Sequence, residues 1–410
     1  MLIIVLILLL LISLIGVLTS KSLLSPEFIS PFSWLVILFF YEFLNHGLYN
    51  LSDRVLLIVL LWNVSLFSGV FFAKLIIFSN KKYLKEKANI INHKTLSYQV
   101  YNWYYKIAVI GFFPTLYIIY KQTQSIGGDF FYSLRMANTG IVETDISLGV
   151  FAYTYVFAYI AFFASFIFMK DGSSKKRFII LLIINLVLAF VTVSKSAFLF
   201  LIIPTLVIYL IKNKRFLPNL KVINYVFLTL VLMISIQTIR ESGSSNKAEG
   251  SVVLYTYLLG GLPALDKIVN SEMTSAQFGQ HTLALIINIE RKLGFIETIS
   301  KSYTNDITYD SYLYIPYPTN VYTAIGPIWL DFKYYGVMFF SFFIGLLMSY
   351  FYHKAIKEDW SLIVYGYLFC VLILQFFGEY IFTNMSLLLQ IILLSYFLYF
   401  FSNKRIVWRW

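Results

Sequence analysis

Four basic residues stand where an apolar chain usually carries no charge. Arg135 ends Tyr132-Ser133-Leu134-Arg135, Lys195 lies in Val193-Ser194-Lys195-Ser196, Arg240 sits between Ile239 and Glu241, and Arg291 stands beside Lys292. A guanidinium offers a planar fork of donors that matches phosphate oxygens, and an ammonium adds a point charge. Converging, these residues would grip a diphosphate. The same side chains also suit snorkelling to lipid headgroups, and Arg240 could simply pair with Glu241.

Proton transfer needs a different kind of group. His281 is the one histidine of segment 240–332, and its titration range suits a general base. A lone loop histidine serves equally well as an ordinary polar contact, so Asp266, Glu272, Glu290 and Asp331 stand as carboxylate alternatives, with His46 a further histidine. The stretch from Tyr314 to Asp331 mixes proline, aromatic and small polar residues. Pro316, Pro318 and Pro327 oppose a regular helix there and favour a fixed extended path. Its Tyr and Trp side chains would stack on sugar faces, or else form an interfacial aromatic belt. No phosphate-cradling Gly-rich loop appears, and segment 240–332 has no Asp-x-Asp pair, which argues against nucleotide and metal chemistry. No cofactor is expected, and no metal site.

These residues need elements to carry them, and composition says which kind. Hydrophobic residues make up 59% of the chain, charged residues 13%, and mean hydropathy is +0.77. Soluble domains carry roughly 25% charged residues, so lipid must be the solvent for most of this chain. The net charge of +12 comes from short basic clusters between apolar runs, a topology signal rather than a nucleic-acid footprint. Cys370 is the single cysteine and lies in an apolar run, which excludes a disulfide framework.

Apolar runs long enough to span a bilayer lie at about 2–19, 28–44, 55–78, 103–121, 147–169, 177–193, 196–211, 222–239, 333–352, 361–379 and 384–402. The expected fold class is an all-α integral membrane protein with about eleven transmembrane helices. The odd count depends on the second run, which holds Pro31 and Glu42, so ten and twelve stay open. Clusters at Lys81 to Lys87, Lys175 to Arg177, Lys212 to Arg215, Lys354 and Lys357, and Lys404 to Arg409 all fall on one side of that arrangement. That side is cytoplasmic by the positive-inside bias, with the N-terminus outside and the C-terminus inside. The chain then divides into helices 1–8 over 1–239 with a short outer loop at 122–146, a long outer loop at 240–332, and helices 9–11 with a tail over 333–410. Long loops are usually functional. This one has an apolar stretch Val252–Leu259, a Gly260-Gly261 break, and helical periodicity over 278–293, so it is expected to carry short or membrane-parallel helices.

Three stretches carry a likeness to a known family. Tyr132-Ser133-Leu134-Arg135 leads toward Gly140. Arg240 is followed by Tyr257-Leu258-Leu259-Gly260-Gly261-Leu262-Pro263-Ala264. Thr319-Asn320-Val321-Tyr322-Thr323 precedes Trp329-Leu330-Asp331-Phe332-Lys333-Tyr334-Tyr335-Gly336. With the Ser194-Lys195-Ser196 hairpin, this order of parts resembles the Wzy-type O-antigen, or oligosaccharide repeat-unit, polymerases. The likeness covers most of the chain as topology and about forty residues as motif. Lys333 departs from it, since glycine is expected after Asp-Phe. A basic side chain there is either an extra phosphate contact or an interfacial anchor.

The resemblance implies a metal-independent membrane glycosyltransferase of the bacterial inner membrane. Such an enzyme moves a growing glycan from undecaprenyl diphosphate onto the non-reducing end of the next lipid-linked unit, and releases undecaprenyl diphosphate. Its donor is already activated. Arg135, Lys195, Arg240 and Arg291 would hold the diphosphate, His281 or Asp266 would take the acceptor proton, and Asn320, Tyr322 and Asp331 would position sugar or loop. Implied partners are the lipid-linked oligosaccharide donor and acceptor, the bilayer, a chain-length regulator and a flippase, with no nucleic acid. An O-antigen ligase shares almost all of these features. A lipid-linked oligosaccharide flippase would instead need a charged cavity between pseudo-symmetric halves, and a membrane O-acyltransferase a histidine deep in a span.

Overall fold

The computed structural model describes the chain apart from residues 80–95, 129, 140–145, 170–171, 193, 215–219, 221–222, 225–249, 272, 276–277, 295–312 and 403–410. The protein is an all-α membrane protein. Its helices are α1 (Leu2–Ser20), α2 (Pro26–Phe43), α3 (Asp53–Ser79), α4 (Tyr98–Ile126), α5 (Phe130–Thr139), α6 (Tyr153–Ile167), α7 (Gly172–Val191) and α8 (Lys195–Asn213). Then follow α9 (Gly250–Leu259), α10 (Gly261–Asn270), α11 (Ala284–Lys292), α12 (Ile325–Ala355), α13 (Asp359–Ile373) and α14 (Met385–Phe400). The described sheet is one antiparallel pair, β1 (Leu313–Tyr314) with β2 (Pro318–Thr319). Lipid offers backbone groups no partners, so helices must satisfy them internally.

Helices occupy ten of the eleven expected runs, and the eighth, 222–239, lies almost wholly outside the described residues. Six segments are long and apolar enough to cross a bilayer: Leu2–Ser20, Asp53–Ile76, Gly149–Ile167, Lys195–Asn213, Ile325–Ala355 and Asp359–Phe376. The helix α14 is apolar but shorter. Two boundaries differ from expectation. The helix expected from Lys333 is preceded by a short helical stretch from Ile325, and the two meet at a break at Lys333; Pro327 falls in the first turn of that stretch, where a missing N–H costs nothing. The helix expected over 278–293 covers only Ala284–Lys292, since Gly279 turns the chain with φ +72° just before it.

The chain forms two compact units. The first comprises Met1–Ile90, Ala248–Tyr352 and Val371–Leu388. Here α3 and α12 approach so closely that a Cβ on Gly69 would lie 2.0 Å from the Phe342 carbonyl oxygen, and one on Gly345 2.1 Å from that of Leu66. Small residues at a crossing let backbones touch, which is how helices associate when lipid is as apolar as their side chains. Ser65 Oγ also donates to the Met338 carbonyl at 2.7 Å. At another part of the unit, Lys74 pairs with the buried Glu27.

A polar knot ties this unit together. Gln375 Oε1 accepts from Trp62 Nε1 at 3.0 Å and from Ser30 Oγ at 3.2 Å. Its Nε2 donates to the Ser30 carbonyl at 2.8 Å and to Ser33 Oγ at 2.7 Å. Ser30 Oγ also lies 3.1 Å from Asn63 Oδ1. Asn63 is ten residues into α3, counting from Asp53, hence about 15 Å along it, roughly half of a 30 Å hydrocarbon layer. The chain past α13 tightens there into a 3-10 turn, Leu374–Phe376, and leaves helical form just beyond it. There Ala324 N donates to the Gln375 carbonyl at 2.7 Å, Thr323 bridges Gly378, and a Cβ on Gly261 would meet the Phe376 carbonyl oxygen at 2.5 Å. Non-helical backbone at such depth is tolerated only inside protein.

The second unit comprises Ile91–Lys247, His353–Cys370 and Leu389–Trp410. Asn185 Nδ2 reaches from α7 to the Ala158 carbonyl of α6 at 3.0 Å, and the Ser97 N–H caps the Leu398 carbonyl of α14 at 2.8 Å. Arg177 lies over Tyr98, Tyr101 and Tyr105.

Replacing both Gly69 and Gly345 by valine should force α3 and α12 apart. We expect a loss of about 2 kcal/mol or more per site, read as a lower thermal midpoint of the detergent-solubilised protein. A midpoint equal to wild type would show that the close crossing is not required.

Candidate functional site

The end of α3 that begins at Asp53 gathers side chains from distant parts of the first unit. Ser52 caps that end, and both its Oγ and its N–H donate to Asp266 Oδ1 of α10, the latter at 3.3 Å. Asn270, one turn on, donates to the same oxygen at 3.0 Å and to Ser52 Oγ at 3.1 Å. All the hydrogen bonds that Asp266 accepts from described residues fall on Oδ1, so Oδ2 keeps its lone pairs for another proton donor. A carboxylate with one oxygen fixed and one open has the form of an oriented base. Beside it Lys267 Nζ sits 4.9 Å from the Tyr49 ring. His46 is a structural residue: Leu48 N donates to its Nδ1 at 2.9 Å, so its Nε2 carries the proton facing the Tyr41 carbonyl at 2.8 Å.

Asp331, expected to position sugar or loop, anchors a loop. Its Oδ1 accepts from Ser275 Oγ at 2.5 Å, and its Oδ2 from the backbone N–H of His281 at 3.1 Å and of Thr282 at 2.7 Å. A carboxylate receiving several N–H donors is a strong anchor, and it fixes the backbone that carries His281. His281 is half-buried in that turn, so Asp331 and His281 are brought together through the main chain.

Arg54 was not among the expected residues, yet it is prominent here. Its guanidinium lies 5.5 Å from the Trp329 ring and 5.8 Å from that of Tyr334, and its Nε donates to the Tyr334 hydroxyl at 3.0 Å. Lys333 faces the same Trp329 ring at 5.6 Å, and its Nζ reaches the Met273 carbonyl at 2.6 Å. Lys333 also kinks α12, with φ 51° and ψ −141°. Glycine adopts such a conformation without steric cost, whereas a lysine there is held in it by its surroundings.

The other expected residues are placed as follows. Arg291 lies in the last turn of α11, with Nη1 3.4 Å from Asn288 Oδ1 and with Nε and Nη2 buried and lacking a hydrogen-bond partner. Asn320 is exposed after β2, whereas Tyr322 is buried at 6% exposure. Arg135 lies in α5 with its side chain outside the described residues, and Arg240 lies wholly outside them. Lys195 is the first residue of α8 in the second unit and is half-buried. Among the described residues no group of three His, Cys, Asp or Glu side chains could hold a metal ion.

Below the site, Glu379 lies past the end of α13 and folds the next turn around itself. Its Oε1 accepts from Ile381 N at 2.8 Å and its Oε2 from Thr383 N at 2.7 Å.

No protein family, curated protein or solved structure matches the chain. Of the residues that sequence reasoning missed, Arg54 had a signal, a charge at the margin of an apolar run. Ser52 and Asn270 had none, because their importance comes from α10 folding back onto the start of α3.

One outcome follows from these anchors. Asp331→Ala should free the 278–282 turn at a cost of about 2–4 kcal/mol, seen as faster proteolysis there and a lower thermal midpoint. Unchanged protection would remove Asp331 from its anchoring role.

Proposed function

We propose that the protein polymerises undecaprenyl-diphosphate-linked oligosaccharide repeat units at the outer face of the bacterial cytoplasmic membrane. In this reading the chain crosses the bilayer about eleven times, with its N-terminus outside, its C-terminus inside and segment 240–332 on the outer side. The observation that carries the reading is Arg291. Two of its guanidinium nitrogens are buried without a hydrogen-bond partner, a costly state that a phosphate oxygen relieves. The sequence likeness at Tyr257 to Ala264 and at Thr319 to Gly336 points to the same chemistry.

The reaction breaks the bond between the reducing-end sugar and the diphosphate, and forms a glycosidic bond to an acceptor hydroxyl. Negative charge builds on the departing diphosphate, so fixed cations accelerate the step by stabilising it. Arg291 is assigned to that charge, with Arg135, Lys195 and Arg240 as further contributors. The acceptor hydroxyl must lose a proton. Asp266 has its Oδ2 open for this, and His281, held by the Asp331-anchored turn, is the second choice. An apolar groove lined by Leu10, Val36 and Phe40 suits a polyprenyl chain.

Deleting the gene and separating the surface glycan by electrophoresis tests the class of reaction. A polymerase loss leaves lipid cores capped with a single repeat unit. Complete loss of the glycan indicates a ligase or flippase, and persistence of long chains refutes the reading. At the site, Asp266→Asn should slow elongation by about 10²–10⁴-fold if Asp266 is the base, with membrane expression unchanged. Arg291→Ala should slow it at least about tenfold, with partial recovery in Arg291→Lys. Full-length glycan from a well-expressed Arg291→Ala protein would remove that residue from the diphosphate site.

A further inference from the structure

Two cations share one aromatic ring at the Asp53 end of α3. Arg54 and Lys333 lie 5.5 Å and 5.6 Å from the centre of Trp329, so two like charges share one ring. Like charges repel, and here a third positive contribution is added. Arg54 occupies the first turn of α3, where the helix dipole presents its positive end and disfavours a cation. Neither residue forms an ion pair among the described residues. The carboxylates nearby in sequence are committed or turned outward: Asp331 holds the 278–282 turn, and Asp53 is exposed.

The ring itself supplies a second, separate observation. Trp329 is 1% exposed, and its indole N–H is buried with no acceptor in the structure. Arg54 spends only Nε, on Tyr334, and Lys333 spends one donor, on the Met273 carbonyl. Among the described residues, neither Nη group of the exposed Arg54 and none of the remaining Lys333 protons has an acceptor, so these donors are open to a ligand. A fork of guanidinium donors beside an ammonium matches the oxygens of a phosphate. The location adds the rest. Arg54 stands in the first turn of α3 and Lys333 at the break within α12, two helices apolar enough to span a bilayer, with Trp329 and Tyr334 as the aromatic residues typical of a membrane interface.

We propose that Arg54, Lys333 and Trp329 form a binding site for a phosphate carried on a lipid, either a prenyl diphosphate or a phospholipid headgroup. One anion there would neutralise two cations and complement the start of α3. This site is separate from Arg291 and does not depend on glycan polymerisation.

The test measures binding alone, with the full-length protein in nanodiscs of phosphatidylcholine. Farnesyl diphosphate is titrated in one arm, and retention of phosphatidylglycerol through delipidation is followed by native mass spectrometry in the other. Arg54→Gln and Lys333→Gln should each weaken one of these ligands by about tenfold or more, and the arm that responds names the source of the phosphate. Lys333→Arg keeps the charge and should stay within about twofold of wild type, which separates lost binding from lost folding. The proposal is overturned if wild type binds neither ligand, if both glutamine variants bind like wild type, or if Lys333→Arg loses as much as Lys333→Gln. Binding through these residues in a protein that elongates no glycan would leave this site standing and remove the polymerase reading. Elongation with ligand binding unaffected by either glutamine variant would do the reverse.

Discussion

Gln375 uses its whole hydrogen-bonding capacity inside the first unit, and the rest of that unit's geometry hangs on it. Trp62 can only donate, so its N–H fixes which end of the Gln375 amide is oxygen. The amide nitrogen then meets Ser30 and Ser33. In a low-dielectric interior a half-satisfied network is costly and a complete one is rigid. Because this one is complete, the chain can leave α-helical form after α13, through the 3-10 turn Leu374–Phe376, at the level of Asn63 in α3 without orphaning its backbone. Residues 321–324 and the Gly260-Gly261 break pack against that stretch, and the loop elements with the candidate chemistry are thereby held against α3.

Carboxylates do the work of loop anchoring above this floor. Asp331 and Glu379 each hold backbone N–H groups of a following or neighbouring turn, and Asp266 is held by Ser52 and Asn270. The difference lies in what is left over. Asp331 and Glu379 use both oxygens, while Asp266 uses one. That asymmetry separates a structural carboxylate from one able to accept a proton, and it is invisible in residue type. The cations divide in the same way. Arg177 is absorbed by three tyrosines and Asn102, whereas Arg291 and Arg54 keep donors without acceptors.

Much of the membrane fold was legible because lipid imposes a simple rule. A long apolar run must be a helix, and helices stand at ten of the expected runs. The Gly260-Gly261 break was equally readable, since it separates α9 from α10. The boundaries were less so. Pro327 reads as a helix breaker, but in the first turn of α12 it is harmless, and the helix expected from Lys333 is joined there, across a break, to a short helical stretch from Ile325.

By itself the sequence determined the solvent, the helical class and the short list of residues able to do acid–base or phosphate chemistry. These follow from composition, run length and local spacing. Only the tertiary structure decided that Ser52 and Asn270 orient Asp266, that Asp331 is spent on the turn carrying His281, and that Arg54 and Lys333 face one tryptophan. Each depends on contacts between segments far apart in the chain, and local patterns carry no record of which segments will meet.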